Sequence, residues 1–205
     1  MRHEMRAVLE GVGHAYPGGN TLFRGLTATL EPDHVYGLVG PSGSGKSTLL
    51  AVLAGWLRPA EGRVDLSGIA SVKWVLQNPH GVPRRTALDH VALPFLVRGA
   101  PRRQAERRAA QVLADFGLGA LAGRLYRDLS GGEAQRLGLA RAIACDPDLC
   151  LVDEPTAQLD QRSAAQVSRS LGALADRGAI VVVATHDPGA RASCTDVIDL
   201  MDYQT

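Results

Sequence analysis

Gly40-Pro41-Ser42-Gly43-Ser44-Gly45-Lys46-Ser47 (GPSGSGKS) is the stretch on which the reading of this 205-residue chain turns. It matches the pattern G-x-x-x-x-G-K-[ST], and its surroundings support the match. An apolar run from His34 to Val39 enters it, and a helical pattern from Lys46 to Leu57 leaves it and stops near Pro59. Glycines let such a loop wrap closely around phosphate oxygens, and the amides at the start of the next helix point at them. The loop therefore predicts an ATP-type triphosphate site formed by Gly40 to Ser47 with Thr48 beyond it. Lys46 is placed to pair with the β- and γ-phosphates, and the Ser47 hydroxyl to ligate Mg²⁺. Lys46 and Lys73 are the lysines of a chain whose other basic residues are arginine.

Outward from the loop, strands and helices alternate. Arg6 to Leu30 reads as strands around a turn at Pro17-Gly18-Gly19-Asn20. Gly62 to Leu66 and Ser71 to Leu76 read as further strands. From Asn78 to about Cys145 the pattern turns helical. Ala105, Ala109, Val112, Leu113 and Phe116 mark one helix over Arg102 to Phe116, and another begins near Ser130 and runs to Ala144. A strand (Leu149 to Asp153), a helix (Arg162 to Ala175) and two strands (Ala179 to Thr185, Val197 to Met201) follow. This alternation predicts an α/β core with a parallel sheet, interrupted by a helical insertion.

The bulk numbers exclude several classes. With 22 basic and 21 acidic residues the net charge is +1, which gives no reason to expect nucleic acid as a partner. Cys145, Cys150 and Cys194 show no CxxC spacing and read as thiols of a reducing compartment. The longest apolar run, Ala179 to Ala184, is too short to span a bilayer and suits a buried strand. The first residues carry charges without an apolar core, so no secretory signal is expected. A cytoplasmic location follows, and any membrane part must come from another chain.

Two more segments carry chemistry. Leu149-Cys150-Leu151-Val152-Asp153-Glu154 ends an apolar strand in two acids. Beside a phosphate loop, Asp153 can hold Mg²⁺ and Glu154 can orient or deprotonate an attacking water, because parallel-sheet ligands gather at strand carboxyl ends. Leu129-Ser130-Gly131-Gly132-Glu133 is open to two readings. It is a plain capping box, with Ser130 and Glu133 three residues apart, or a second anion-binding helix start. Local rules do not separate them.

Taken together, GPSGSGKS, LSGGE and LCLVDE, in this order and spacing, resemble the ATPase subunits of ATP-binding-cassette (ABC) transporters, over almost the whole chain. The resemblance implies a P-loop NTPase core with a mainly parallel sheet, an N-terminal antiparallel β subdomain and an inserted helical subdomain. Within a single domain over 1–205, residues 1–77 and 146–205 would form the nucleotide-binding core, and 78–145 the helical subdomain. It implies that Tyr16 stacks on adenine, and that Gln77 senses Mg²⁺ and the attacking water. His186 would contact the γ-phosphate, and Asp160 would belong to the D-loop, from whose common pattern Ala157 and Gln158 depart. It also implies a head-to-tail dimer, homomeric or with a second such cassette. There Leu129, Ser130, Gly131, Gly132 and Glu133 of one copy would face the ATP of the other. Membrane subunits would dock just after Gln77, around 78–95, placing the chain on the inner face of the cell membrane. Asp89 to Gly99 (DHVALPFLVRG) resembles the lipoprotein-release and macrolide-export class.

The alternatives are a cassette ATPase without a membrane role and a nucleotide-binding module that does not hydrolyse. The first usually carries two cassettes or a coiled-coil insertion, and neither is present. The second needs a lost catalytic residue, yet Lys46, Asp153, Glu154 and His186 stand in place. GTPases and small-molecule kinases share the loop, but LSGGE argues against them. The basic cluster Arg98, Arg102, Arg103, Arg107 and Arg108 reads as a solvated helix face, or as attraction to an anionic surface.

Overall fold

The computed structural model describes residues 5–18, 20–78, 80–157 and 159–204. Gly19 of the expected first turn and Gln158 of the expected D-loop lie outside the described residues.

Two sheets organise the chain. β1 (Ala7–Ala15), β2 (Thr21–Leu30) and β4 (Glu61–Asp65) form an antiparallel sheet in the order β2-β1-β4. The second sheet contains β3 (Val35–Val39), β5 (Val72–Val75), β6 (Leu149–Asp153), β7 (Ile180–Ala184) and β8 (Asp196–Asp199). Its order is β5-β6-β7-β3-β8, and every pairing is parallel. The central strands β3, β6 and β7 are buried at every residue. That explains their unbroken apolar sequences, since a sheet covered on both faces has no polar side. Burial within β6 pushes the Cys150 thiol up to about 12, so it behaves as a small core hydrophobe.

The helices are α1 (Lys46–Leu53), α2 (Ala87–Val97), α3 (Arg102–Asp115), α4 (Gly131–Ala144), α5 (Gln161–Ala175) and α6 (Pro188–Ala192). One apolar cluster joins α1 with β1, β2 and one face of the parallel sheet. The other joins α2 to α5 with the opposite face. Among the described residues between β5 and β6 there is no strand. No helix is long and apolar enough to cross a membrane, among the described residues.

Some boundaries differ from the sequence reading. α1 stops at Leu53 rather than Leu57, because Gly55 turns left-handed (φ 72°). The Trp56 amide then donates to the Ala51 carbonyl and the Gly55 amide to that of Val52, closing the helix in a Schellman motif. The last strand ends at Asp199 rather than Met201. The Asp199 carboxylate accepts the Met201 amide and starts a 3-10 turn over Leu200–Tyr203. The short helix α6 had no sequence signal beyond its Asp187 cap and Pro188 start.

Candidate active site

Strand register assembles the site. Leu38 of β3 and Asp153 of β6 both pair with Ala184 of β7, so the carboxyl ends of these three neighbours are level. Val75 of β5 pairs with Val152, which brings the residues after β5 to the same edge. Residues about 150 positions apart in the chain therefore meet at the carboxyl edge of a parallel sheet, where such sheets bind ligands. A cleft of about 600 Å³ opens there. It is lined by Tyr16, Leu22, Ser42, Gly43, Gly45, Lys46, Ser47, Thr48, Gln77, Asp153, Glu154 and His186.

The loop between β3 and α1 needs its glycines. Gly45 caps α1 in a left-handed conformation (φ 100°), and a Cβ there would lie 2.9 Å from the Phe23 ring. A larger residue would strain the backbone and push the loop off β2. Lys46 is buried, and its Nζ donates to the carbonyls of Gly40 (2.8 Å) and Pro41 (3.1 Å). The ammonium is thus held under the loop by weak acceptors that phosphate oxygens can replace. Gly40, Pro41 and Ser44 shape the loop without bordering the cleft; Ser44 is buried and its amide donates to Pro41.

The two acids differ. The Ser47 hydroxyl donates to Asp153 Oδ2 at 2.7 Å. Burial raises the Asp153 pKa above the ordinary carboxylate value, and Glu154 beside it adds to this. The Ser47 hydrogen bond and the Lys46 charge oppose the rise. Ser47 and Asp153 together offer the hard oxygen donors that a magnesium ion prefers. Glu154 sits at φ 48°, with its amide donating to the Ala184 carbonyl. Its Oε1 lies 2.8 Å from His186 Nδ1, while Oε2 is buried without a hydrogen-bond partner. A carboxylate oxygen without a partner, on a residue that lines a polar cleft, can accept from a water or a hydroxyl.

Tyr16 stands half-exposed at the rim, its hydroxyl 3.2 Å from Thr48 Oγ1 and its ring edge-on to His14. Such a ring offers a face to an aromatic ligand.

Two sets of expected residues, Leu129 to Glu133 and Asp160, lie apart from this cleft. Ser130 caps α4: it accepts the Glu133 amide, and Glu133 accepts the Ser130 amide in return. That backbone bond is the main reason the Glu133 carboxyl is held below its usual range. The capping box is therefore real, and it leaves Ser130 and Gly131 exposed at the helix start. Leu129 packs against the core. Asp160 caps α5, accepting from the amide and hydroxyl of Ser163. Sequence reasoning missed Leu22, which lines the cleft, and Gln135, whose Nε2 donates to the Glu154 carbonyl at 2.8 Å. Gln135 had one signal: a polar side chain on the stripe of α4 that faces the core.

A second opening, of about 650 Å³, lies between edge strand β5 and the helices. Lys73, Trp74, His80, Leu93, Pro94, Val97, Arg98, Arg141 and Cys145 are among its walls.

Comparison with known proteins agrees with this geometry. The family model for the ABC transporter matches residues 23–157. The chain is 38% identical to the lipoprotein-releasing system ATP-binding protein LolD of Cereibacter sphaeroides, covering 94% of this chain and 95% of that one. It is 35% identical to the macrolide export ATP-binding/permease protein MacB of Rhodopseudomonas palustris, over 95% of this chain but only 32% of that longer protein. Among solved structures, the dimeric cassette MJ0796 superposes with a TM-score of 0.84 at 27% identity, covering 94% and 93% of the two chains. Its post-hydrolysis state bound to ADP and Pi superposes with a TM-score of 0.83 at 29% identity, with the same coverage. The chain belongs to the ABC transporter family, as one of its ATP-binding and ATP-hydrolysing cassettes.

Proposed function

We propose that this chain is the energy-coupling cassette of a membrane transporter of the lipoprotein-release and macrolide-export class, and that it hydrolyses ATP as a head-to-tail dimer. The observation that carries this reading is a division of the expected machinery. Lys46, Ser47, Gln77, Asp153, Glu154 and His186 share one cleft, while Ser130 and Gly131 stand exposed outside it. Half of a site faces inward and the other half is presented to a second copy.

In this scheme Tyr16 stacks on adenine, and residues Gly40 to Thr48 cradle the phosphates with Lys46 on the β- and γ-groups. Ser47, Asp153 and Gln77 hold Mg²⁺, which when bound offsets charge on the phosphate oxygens. Glu154 takes a proton from a water whose oxygen attacks the γ-phosphorus. The bond from that phosphorus to the bridging oxygen breaks, and ADP leaves with the bond electrons. His186, held by Glu154, reaches the γ-phosphate. Ser130 to Gly132 of the partner close over it, with Asp160 at the junction between copies. Residues 78–145 act as the helical lobe and the remainder as the nucleotide core.

The opening beside β5 supports docking of a membrane subunit, through Leu93, Pro94 and Val97 on its rim. Leu93 and Val97 are exposed apolar residues that a partner would cover. The docking zone thus extends slightly past residue 95, and it borders the residues just after Gln77. Such docking would hold the chain on the inner face of the cell membrane.

Glu154→Gln tests the scheme. It should retain ATP binding, lose hydrolysis by about 10²-fold or more, and form a stable dimer only with ATP, as read by light scattering. A variant that turns over ATP at the wild-type rate would falsify Glu154 as the base.

A further inference from the structure

Gln135 is an amide where the packing asks for an apolar side chain. It is 2% exposed, and Leu139, Ala142 and Ile143 continue its stripe of α4 into the core. A buried amide is costly unless it is hydrogen bonded, so its partner matters. That partner is the carbonyl of Glu154, at 2.8 Å.

Glu154 needs support. Its φ of 48° is a left-handed conformation that non-glycine residues adopt only under strain, where the surroundings enforce it. Four contacts do so. The Ala184 carbonyl takes its amide, the exposed His186 meets its carboxylate, and Gln135 holds its carbonyl at 2.8 Å, which also takes the Ala157 amide at 3.4 Å. The first is part of the sheet and the second belongs to the reacting group. Only the third comes from α4, whose first turn carries Ser130 to Gly132. The next residue strengthens the junction, since Arg136 donates to Ser163 near the Asp160 cap of α5.

We propose that Gln135 is a positioning residue: its bond to the Glu154 carbonyl keeps that carboxylate aimed into the cleft and ties it to the helix that meets the second copy's ATP. One helical turn, about 5 Å, separates the exposed start of α4 from this bond. A shift of that start on engagement therefore reaches the catalytic base of the same chain. The inference rests on Glu154 being the base.

Gln135→Met keeps the length of the side chain and removes the donor. It should lower kcat about tenfold or more, while KM and the ATP affinity of the isolated monomer stay at wild-type values. Gln135→Glu can donate only when its carboxyl is protonated. Its kcat relative to wild type should be low at neutral pH and climb as pH falls. Wild-type kcat in Gln135→Met overturns the proposal. If that variant does not unfold cooperatively, the pH profile of Gln135→Glu decides instead, and a profile parallel to wild type overturns it. Hydrolysis surviving in Glu154→Gln would remove the base assignment itself. Loss there, with full activity in Gln135→Met, would remove only the positioning role.

Discussion

At the residue scale, the cleft holds its acids against the preference of the fold. Asp153 has a folded-state pKa above its ordinary value, chiefly through burial. The sign follows from linkage: a carboxyl that is harder to ionise when folded costs stability once the pH exceeds its ordinary value, and the cost is complete above the raised one. At neutral pH the ionised Asp153 therefore destabilises the nucleotide-free chain. Asp153→Asn should raise its melting temperature at pH 7 and abolish hydrolysis. The gain in melting temperature should shrink as the pH is lowered below the ordinary carboxylate range. A calorimetric series in pH reads this, and a variant that melts lower than wild type at pH 7 would sink the argument. The expected trade reflects a general pattern in which a functional site is kept at the expense of stability.

At the element scale, capping side chains set the starts of α2, α4, α5 and α6, and of these caps the one at Ser130 was legible in the sequence. Thr86 caps α2 in the same manner as Ser130 caps α4, with Asp89 returning the bond to the Thr86 amide. That amide holds the Asp89 carboxyl below its usual range. Its contribution is present above the ordinary carboxylate pKa and fades as the pH falls through the lower folded value. Thr86→Ala should cost about 1 kcal/mol, or roughly 2–4 °C in melting temperature for a chain of this size. Asp89→Ala should cost less as the pH drops below 4 or so. Equal losses at pH 7 and at low pH would refute the pairing. The phosphate loop, β6 and the Ser130 start could be read from sequence because each is specified within about ten residues. Strand order could not. That β7 lies between β6 and β3 depends on packing between distant segments, and only that order brings Gln77, Glu154 and His186 together. Gln135 was passed over for the same reason, since its meaning lies in the carbonyl it meets. The left-handed turn at Gly55 shortened α1, although the glycine itself was in plain view.

At the scale of the whole molecule, the expected catalytic unit is larger than the chain. The cleft contains the loop and the acids but none of Leu129 to Glu133, which sit at the start of α4 outside it. If two copies complete each other, damage to the two halves should complement. Lys46→Ala removes the cradle's cation and leaves Ser130 intact. Ser130→Arg blocks the exposed helix start and leaves the cleft intact, so its monomer should still bind ATP. Each variant alone should be inactive. On random mixing about half of the dimers are mixed, and each has one intact site of two, so about a quarter of the wild-type rate should return. The measurement is phosphate release from equimolar mixtures, with each parent at the same total concentration. A mixture as inactive as its parents would show that the chain does not pair with itself through these faces. Loss of ATP binding by the Ser130→Arg monomer would place Ser130 in the cleft of its own chain, contrary to its position on α4.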